Sequence, residues 1–130
     1  MHRPSYDDFV QALTIVHGWT IAQADAATKR PLAESALAAA WAGFGDVEMY
    51  VDDVTKAAVT GARIARNHAA VDGNKRVAVL MMSAMLSTAN YRIAISDDLL
   101  AELIERVAGR EPVLTEEQFI EQIAAAVAPR

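Results

Sequence analysis

One short segment of the chain, residues 68 to 76, combines the side chains needed to handle a phosphorylated substrate. Its sequence is His-Ala-Ala-Val-Asp-Gly-Asn-Lys-Arg. A histidine titrates near neutrality and can take a proton from an attacking hydroxyl, so His68 is the candidate general base. A carboxylate offers the hard oxygen ligands that magnesium prefers, and magnesium usually binds together with phosphate, so Asp72 is the candidate metal ligand. The segment therefore indicates chemistry on a phosphate group.

The rest of the segment indicates an anion site. Gly73 lets the backbone turn with positive φ and come close to a ligand, and Asn74 can cap a helix and donate from its amide. Lys75 and Arg76 add positive charge, and Arg66 lies shortly upstream. These five residues are the candidates for binding a nucleotide such as ATP. The alternative is an ordinary Asp-Gly-Asn turn followed by a solvated pair of basic residues.

Two helices are predicted on either side of the segment. Residues 52 to 67 and residues 74 to 88 have helical periodicity, which places Asp72 and Gly73 in a loop that leads into a helix N-terminus. The first backbone N–H groups of a helix have no partner within it and bind anions readily. The loop is therefore placed to hold phosphates.

The segment resembles the signature of the Fic/Doc family, H-x-F-x-[D/E/N]-[G/A]-N-[G/K]-R. His68, Asp72, Gly73, Asn74, Lys75 and Arg76 all match it with the right spacing. Further stretches resemble the Doc branch, the death-on-curing toxins, so that residues 6 to 125 can be laid along that pattern. These further stretches are Arg30 to Leu37, Tyr50, Ala65 to His68 and Val77 to Ser87. The resemblance implies an all-α Fic/Doc fold, ATP and Mg²⁺ as cofactors, and His68 as the base.

The position of Lys75 is reported to separate two reactions within the family. Fic members have glycine there and transfer AMP from ATP, whereas Doc has lysine, which is implied to invert ATP so that its γ-phosphate is presented. Lys75 favours a Doc-like toxin that phosphorylates a serine or threonine of a cytosolic protein, with elongation factor Tu as the first target to test, and so stops translation. Gly73 matches the Fic form and keeps AMP transfer as the alternative.

Three departures from the family pattern affect these expectations. The usual aromatic anchor of the loop is Ala70, so either the loop is more mobile or Phe44 or Met81 fills the space; Ala70 also motivates a third hypothesis, a non-catalytic nucleotide-binding member. Val79 stands where the longer Fic signature has a second arginine. The sequence also lacks the pattern of the family's inhibitory helix, so we expect a separate antitoxin protein to restrain the activity.

Composition sets the broad class. With 130 residues the chain is expected to form one domain, residues 1 to 130. Its net charge of −5 argues against direct binding of nucleic acid, and no apolar run is long enough to span a membrane. The absence of cysteine and of a recognisable signal peptide fits the cytoplasm.

The periodicity predicts an all-α bundle of about six helices with a short flap or extended segment. Residues 43 to 50 are the candidate flap, which in the family aligns the target by strand-like pairing; an ordinary glycine-rich turn is the alternative. Residues 91 to 95 alternate and are expected to be extended. The first predicted helix begins near Ser5 and ends at Gly18, and the second runs from Pro31 to about Ala42. The third runs from Asp52 to Asn67 and the fourth from Asn74 to Thr88. The fifth is capped by Ser96 and ends near Gly109, and the sixth begins after Thr115.

Overall fold

Two helices of fifteen residues, α4 (Asp53–Asn67) and α5 (Asn74–Thr88), form the centre of the molecule and pack against each other more extensively than any other pair. Their bounds match the predicted ones to within a residue. Small side chains permit the close approach, since a Cβ placed on Gly61 of α4 would lie only 3.0 Å from the Met82 sulfur of α5. Several of the buried residues of α4 are small, namely Ala57, Ala58, Gly61, Ala62 and Ala65.

The remaining helices surround this pair, and the structure, a computed structural model, describes residues 1 to 130. The all-α class is confirmed, because 63% of the chain is helical and seven helices form the bundle. None of these helices is both long and apolar enough to cross a membrane. The other helices are α1 (Tyr6–His17), α2 (Ile21–Ala26), α3 (Arg30–Ala38), α6 (Asp97–Val107) and α7 (Glu116–Ala126).

The cap residues explain where most helices start. The side chain of Ser5 accepts a hydrogen bond from the N–H of Asp8, whose carboxylate accepts from the N–H of Ser5, and α7 has the same reciprocal arrangement. Gly18 ends α1 in the left-handed conformation, as predicted. At the start of α4, hydrogen bonds from the side chain and backbone of Thr55 lower the pKa of Asp52 and hold its carboxylate in the cap.

The helix count differs from the prediction by one. Helix α2 was missed, although Thr20 and Gln23 form a capping box at its start. With six residues it is too short to show a clear periodicity, and Ala24 is its one buried side chain. The helix predicted from Pro31 also ends earlier, since α3 stops at Ala38 and a single turn of 3₁₀-helix follows over Ala39–Trp41.

The candidate flap is a two-stranded hairpin of β1 (Gly43–Phe44) and β2 (Val47–Glu48). Buried Lys56 of α4 fixes its end: the ammonium donates to the carbonyl of Tyr50 and lies 3.5 Å from the Glu48 carboxylate. Phe44 and Val47 are paired across the strands and stay exposed. The extended segment predicted over residues 91 to 95 is a strand over its first three residues, β3 (Tyr91–Ile93). It pairs with β4 (Val127–Pro129), a strand the sequence did not predict.

Candidate active site

The loop between α4 and α5 carries the candidate base at its first residue. His68 caps α4 in the left-handed conformation, with φ of 50°, and is solvent-exposed. Its side chain lies at the wall of a polar cavity of about 440 Å³. The structure thus brings His68 together with five other predicted residues around one space. The cavity is lined by Ala65, His68, Val71, Asp72, Gly73, Asn74, Lys75, Arg76 and Glu105.

A row of free backbone donors lies at the other end of the loop. Gly73 adopts φ of 85° and caps the N-terminus of α5. The N–H groups of residues 72 to 76 make no backbone or side-chain hydrogen bond within the protein, whereas that of Val77 binds the carbonyl of Gly73. Free N–H groups at a helix start attract anions through both hydrogen bonding and the helix dipole. This end of the cavity can therefore hold a phosphate.

The side chain of Asn74 makes two hydrogen bonds within the loop. It is buried, and its amide donates to the carbonyl of Ala70 at 2.8 Å while its Oδ1 accepts from the N–H of Ala70 at 3.0 Å. Oδ1 and one N–H of the amide are thus engaged within the loop. The backbone N–H of Asn74 makes no hydrogen bond within the protein and is available to an anion. The side chain shapes the anion site.

Backbone pairing replaces the missing aromatic anchor. The N–H of Lys29 donates to the carbonyl of Ala69 at 2.8 Å, and the N–H of Val71 donates to that of Ala27 at 3.0 Å. These two bonds form a bridge around Ala70, which is buried. The suggestion that Phe44 fills the space is wrong, since 90% of Phe44 is exposed in the flap hairpin. Met81 lies in the core.

The two cations of the motif are partly exposed and partly paired. The ammonium of Lys75 lies 3.0 Å from the carboxylate of Glu105 on α6, and the guanidinium of Arg76 lies 3.9 Å from that of Asp72. Such exposed pairs are weak, so both cations can turn to a phosphate at small cost. Lys75, Arg76 and Glu105 also line a neighbouring, largely apolar cavity of about 420 Å³.

The donor set fits magnesium bound together with a nucleotide. No group of three or more histidine, aspartate or glutamate side chains is placed to hold an ion unaided. Asp72 is 73% exposed and lies beside the free N–H groups. Magnesium in phosphate sites typically takes one or two carboxylates, with phosphate oxygens and water completing the shell. Asp72 could serve in that way once phosphates occupy the cavity.

Arg66 does not join the other predicted nucleotide-binding residues. Its guanidinium donates to the carbonyls of Val107 at 2.8 Å and Leu114 at 3.0 Å, and the residue does not line the cavity. A single arginine thus ties the end of α4 to the segment between α6 and α7. Neighbouring Arg63 is similarly engaged with Glu116 of α7, whose carboxylate raises the pKa of Arg63. The structure places Arg66 in the scaffold.

We expect Arg66→Ala to lower stability and leave nucleotide affinity unchanged. Hydrogen bonds to a charged donor contribute about 1.5 to 3 kcal/mol each, so the loss should be at least about 2 kcal/mol in the free energy of unfolding. Urea denaturation and ATP titration measure the two effects. Arg76→Ala is the matched control and should show the opposite pattern, weaker ATP binding at unchanged stability. If Arg66→Ala weakened ATP binding and left stability unchanged, Arg66 would be a nucleotide-binding residue, as the sequence predicted.

Two residues at the site were missed from the sequence. The Nε2 atom of His17 lies 3.1 Å from the carbonyl oxygen of Asp72, and a Cβ placed on Gly73 would lie 2.5 Å from the same nitrogen. Glu105 reaches Lys75 from α6. They lie 55 and 30 residues from their partners, and no local spacing reveals contacts of that range.

The comparisons with known proteins bear on the motif helices. The model of the Fic/DOC family matches residues 6–86, which is more than half of the chain and covers α1 to α4 and all but the last two residues of α5. Helices α6 and α7 lie beyond the matched range. No curated protein and no solved structure matches the chain.

Proposed function

The chain belongs to the Fic/DOC family, whose members are typically transferases with nucleotide substrates, and we propose that it phosphorylates a serine or threonine of another protein. In this reaction the hydroxyl oxygen bonds to the γ-phosphorus of ATP, the bond to the ADP oxygen breaks, and the hydroxyl proton passes to His68. Phosphoryl transfer depends mainly on positioning and on charge stabilisation. The free N–H groups, Lys75 and Arg76 provide the charge, and magnesium on Asp72 would neutralise phosphate oxygens.

Lys75 is the observation that carries the proposal. It stands where AMP-transferring relatives have glycine, and its side chain lies at the wall of the cavity. A side chain in that place takes up room that glycine leaves open to a nucleotide. This supports the pose in which the γ-phosphate, and not the α-phosphate, faces His68.

AMP transfer is the second candidate, since Gly73 matches the Fic form of the motif. The structure supplies another reason for that glycine. Its φ of 85° and the nearby His17 ring exclude a side chain whichever phosphate reacts. Gly73 therefore supports AMP transfer less than Lys75 supports phosphorylation. The hypothesis of a non-catalytic member rested on Ala70, and the bridge to residues 27 to 29 holds the loop without an aromatic anchor.

The partners belong to the same proposal. The substrate is a protein with an accessible serine or threonine hydroxyl, and elongation factor Tu is the first to test, in which case the chain acts as a toxin that inhibits translation. A separate antitoxin protein would restrain it. The exposed flap hairpin, residues 43 to 50, is the surface proposed to align the target segment.

Labelling with two forms of ATP tests the proposal. Bacterial lysate and purified elongation factor Tu are incubated with the protein and magnesium, with ATP labelled at the α-phosphate in one tube and at the γ-phosphate in the other. We expect label on protein from the γ-phosphate alone. Label from the α-phosphate would establish AMP transfer, and no label from either would exclude both reactions for these substrates.

A Lys75→Gly variant sharpens this experiment because it restores the residue of the AMP-transferring branch. If Lys75 sets the nucleotide pose, this variant should lose γ-label and gain α-label. The matched control is Lys75→Arg, which retains a long cation and should retain γ-label. An unchanged label pattern in Lys75→Gly would show that Lys75 does not determine the reaction.

A further inference from the structure

We propose that His17 is a positioning residue for the phosphoryl transfer: it fixes the turn at Asp72 and Gly73 and thereby orients the metal ligand and the free N–H groups. The inference rests on the proposed function. Its basis is the contact from α1 to the motif loop, in which Nε2 of His17 lies 3.1 Å from the carbonyl oxygen of Asp72. Because a carbonyl only accepts, the ring nitrogen donates this bond.

The imidazole is itself held in place. His17 is the last residue of α1, and the N–H of Gly18 binds the carbonyl of Thr14 at 2.8 Å, which fixes the end of the helix. The ring stacks on that of Trp19, with centroids 4.0 Å apart and planes inclined by 20°. A half-buried, stacked ring has little freedom to leave its acceptor. His17 can therefore impose a position on the loop.

The two halves of the loop are held by different contacts. Residues 69 to 71 are held by the bridge to residues 27 to 29 and by the Asn74 side chain. At Asp72 and Gly73, by contrast, the bond from His17 is the one hydrogen bond from outside the loop and α5. Its loss should free the turn and leave the rest of the loop in place.

His17 and Gly73 also fit each other sterically. A Cβ on Gly73 would lie 2.5 Å from Nε2 of His17 and 3.2 Å from a methyl carbon of Val16. The ring thus occupies the space that a side chain at position 73 would need. Removing the ring should make alanine at position 73 less harmful, with the strain of its positive φ and the tight contact with Val16 remaining.

The consequence for the reaction is a loss of alignment. The turn carries the Asp72 carboxylate and the first N–H groups of α5, which are the groups assigned to magnesium and phosphate. A misplacement of about 1 Å can cost on the order of 100-fold in rate. We expect His17→Ala to lower the transfer rate by about 10- to 100-fold, mainly in kcat, with little change in the KM for the protein substrate. His17→Gln retains an N–H donor at similar reach and should recover most of the rate.

Rates of phosphate transfer, melting temperature and NMR order parameters of the ligand-free protein provide the test. In His17→Ala the amide order parameters of Asp72 and Gly73 should fall from about 0.85 towards about 0.6, while that of Val71 stays high. Ile15→Ala, an exposed site two residues earlier on α1, is the matched control and should change none of these values. Unchanged order parameters in His17→Ala, or a His17→Gln rate as low as that of His17→Ala, would overturn the proposal.

A double-mutant cycle adds an independent readout. The loss of rate caused by Gly73→Ala should be smaller in the His17→Ala background than in the wild type, because the clash with the imidazole ring is gone. Equal losses in both backgrounds would show that the two residues act separately and would contradict the inference. The order parameters and melting temperatures need no nucleotide. If they behave as expected while γ-label is absent, the proposed reaction fails and the role of His17 in fixing the turn stands.

Discussion

Replacing His68 by asparagine should abolish transfer while the protein still folds. Asparagine tolerates the left-handed conformation that residue 68 adopts, with φ of 50°, so α4 can end as before. It cannot take a proton from the attacking hydroxyl. Losing a positioned base typically lowers the rate by about 10²- to 10⁴-fold. The label incorporated from ATP in single-turnover reactions measures the loss, and the melting temperature reports on the fold.

The same substitution at His2 is the matched control. His2 lies at the exposed N-terminal end, where its Nε2 is 3.0 Å from the carboxylate of Asp8, an exposed contact that should contribute little. His2→Asn should keep the wild-type rate. If His68→Asn also kept that rate, His68 could not be the base, and the assignment of the motif would have to be revised.

Asn74→Ala should be the most destabilising single change in the motif. It removes both hydrogen bonds to Ala70 and leaves a buried N–H and a buried carbonyl without partners. Each unsatisfied group costs about 1 to 3 kcal/mol, so the free energy of unfolding should fall by about 2 to 5 kcal/mol. Against a total stability of about 5 to 15 kcal/mol this is a large fraction. Urea denaturation followed by circular dichroism measures it.

Two further variants separate the contributions. Asn74→Asp retains an acceptor for the N–H of Ala70 but loses the donor to the Ala70 carbonyl. Its free energy of unfolding should therefore lie between those of the wild type and Asn74→Ala. Asn67→Ala removes an amide whose contact, with the carbonyl of Leu32, is exposed and 3.4 Å long, and should have little effect. If Asn74→Ala unfolded at the same urea concentration as the wild type, the two bonds to Ala70 would not be holding the loop.

The helical framework could be predicted because its signals are local. Periodicity located α4 and α5 almost to the residue, and cap residues such as Ser5, Ser96 and Thr115 located other starts. Helix α2 was missed because six residues span fewer than two turns. Strand β4 was missed because its pairing depends on β3, more than thirty residues earlier, and not on its own pattern.

The candidate site was predicted in outline, and its supporting contacts were not. The motif identified six of the nine residues that line the cavity, because side-chain chemistry and spacing are visible in a sequence. The two hydrogen bonds from the Asn74 side chain to Ala70 were not predicted, because the motif does not show which backbone groups a buried amide will satisfy. Arg66 was grouped with the phosphate ligands by proximity along the chain, whereas its direction on α4 turns it to the carbonyls of Val107 and Leu114.

Because α4 packs closely on α5, the size of the buried side chains between them affects the geometry of the loop that joins them. The candidate base, His68, ends α4 and the free N–H groups begin α5, so the distance between them depends on how close the two helix axes lie. Gly61 lies against Met82 about two turns from His68. One extra methyl group at Gly61 would press the two helices apart at this contact. A substitution in the core can therefore change the spacing of the candidate site while every residue of the motif stays the same.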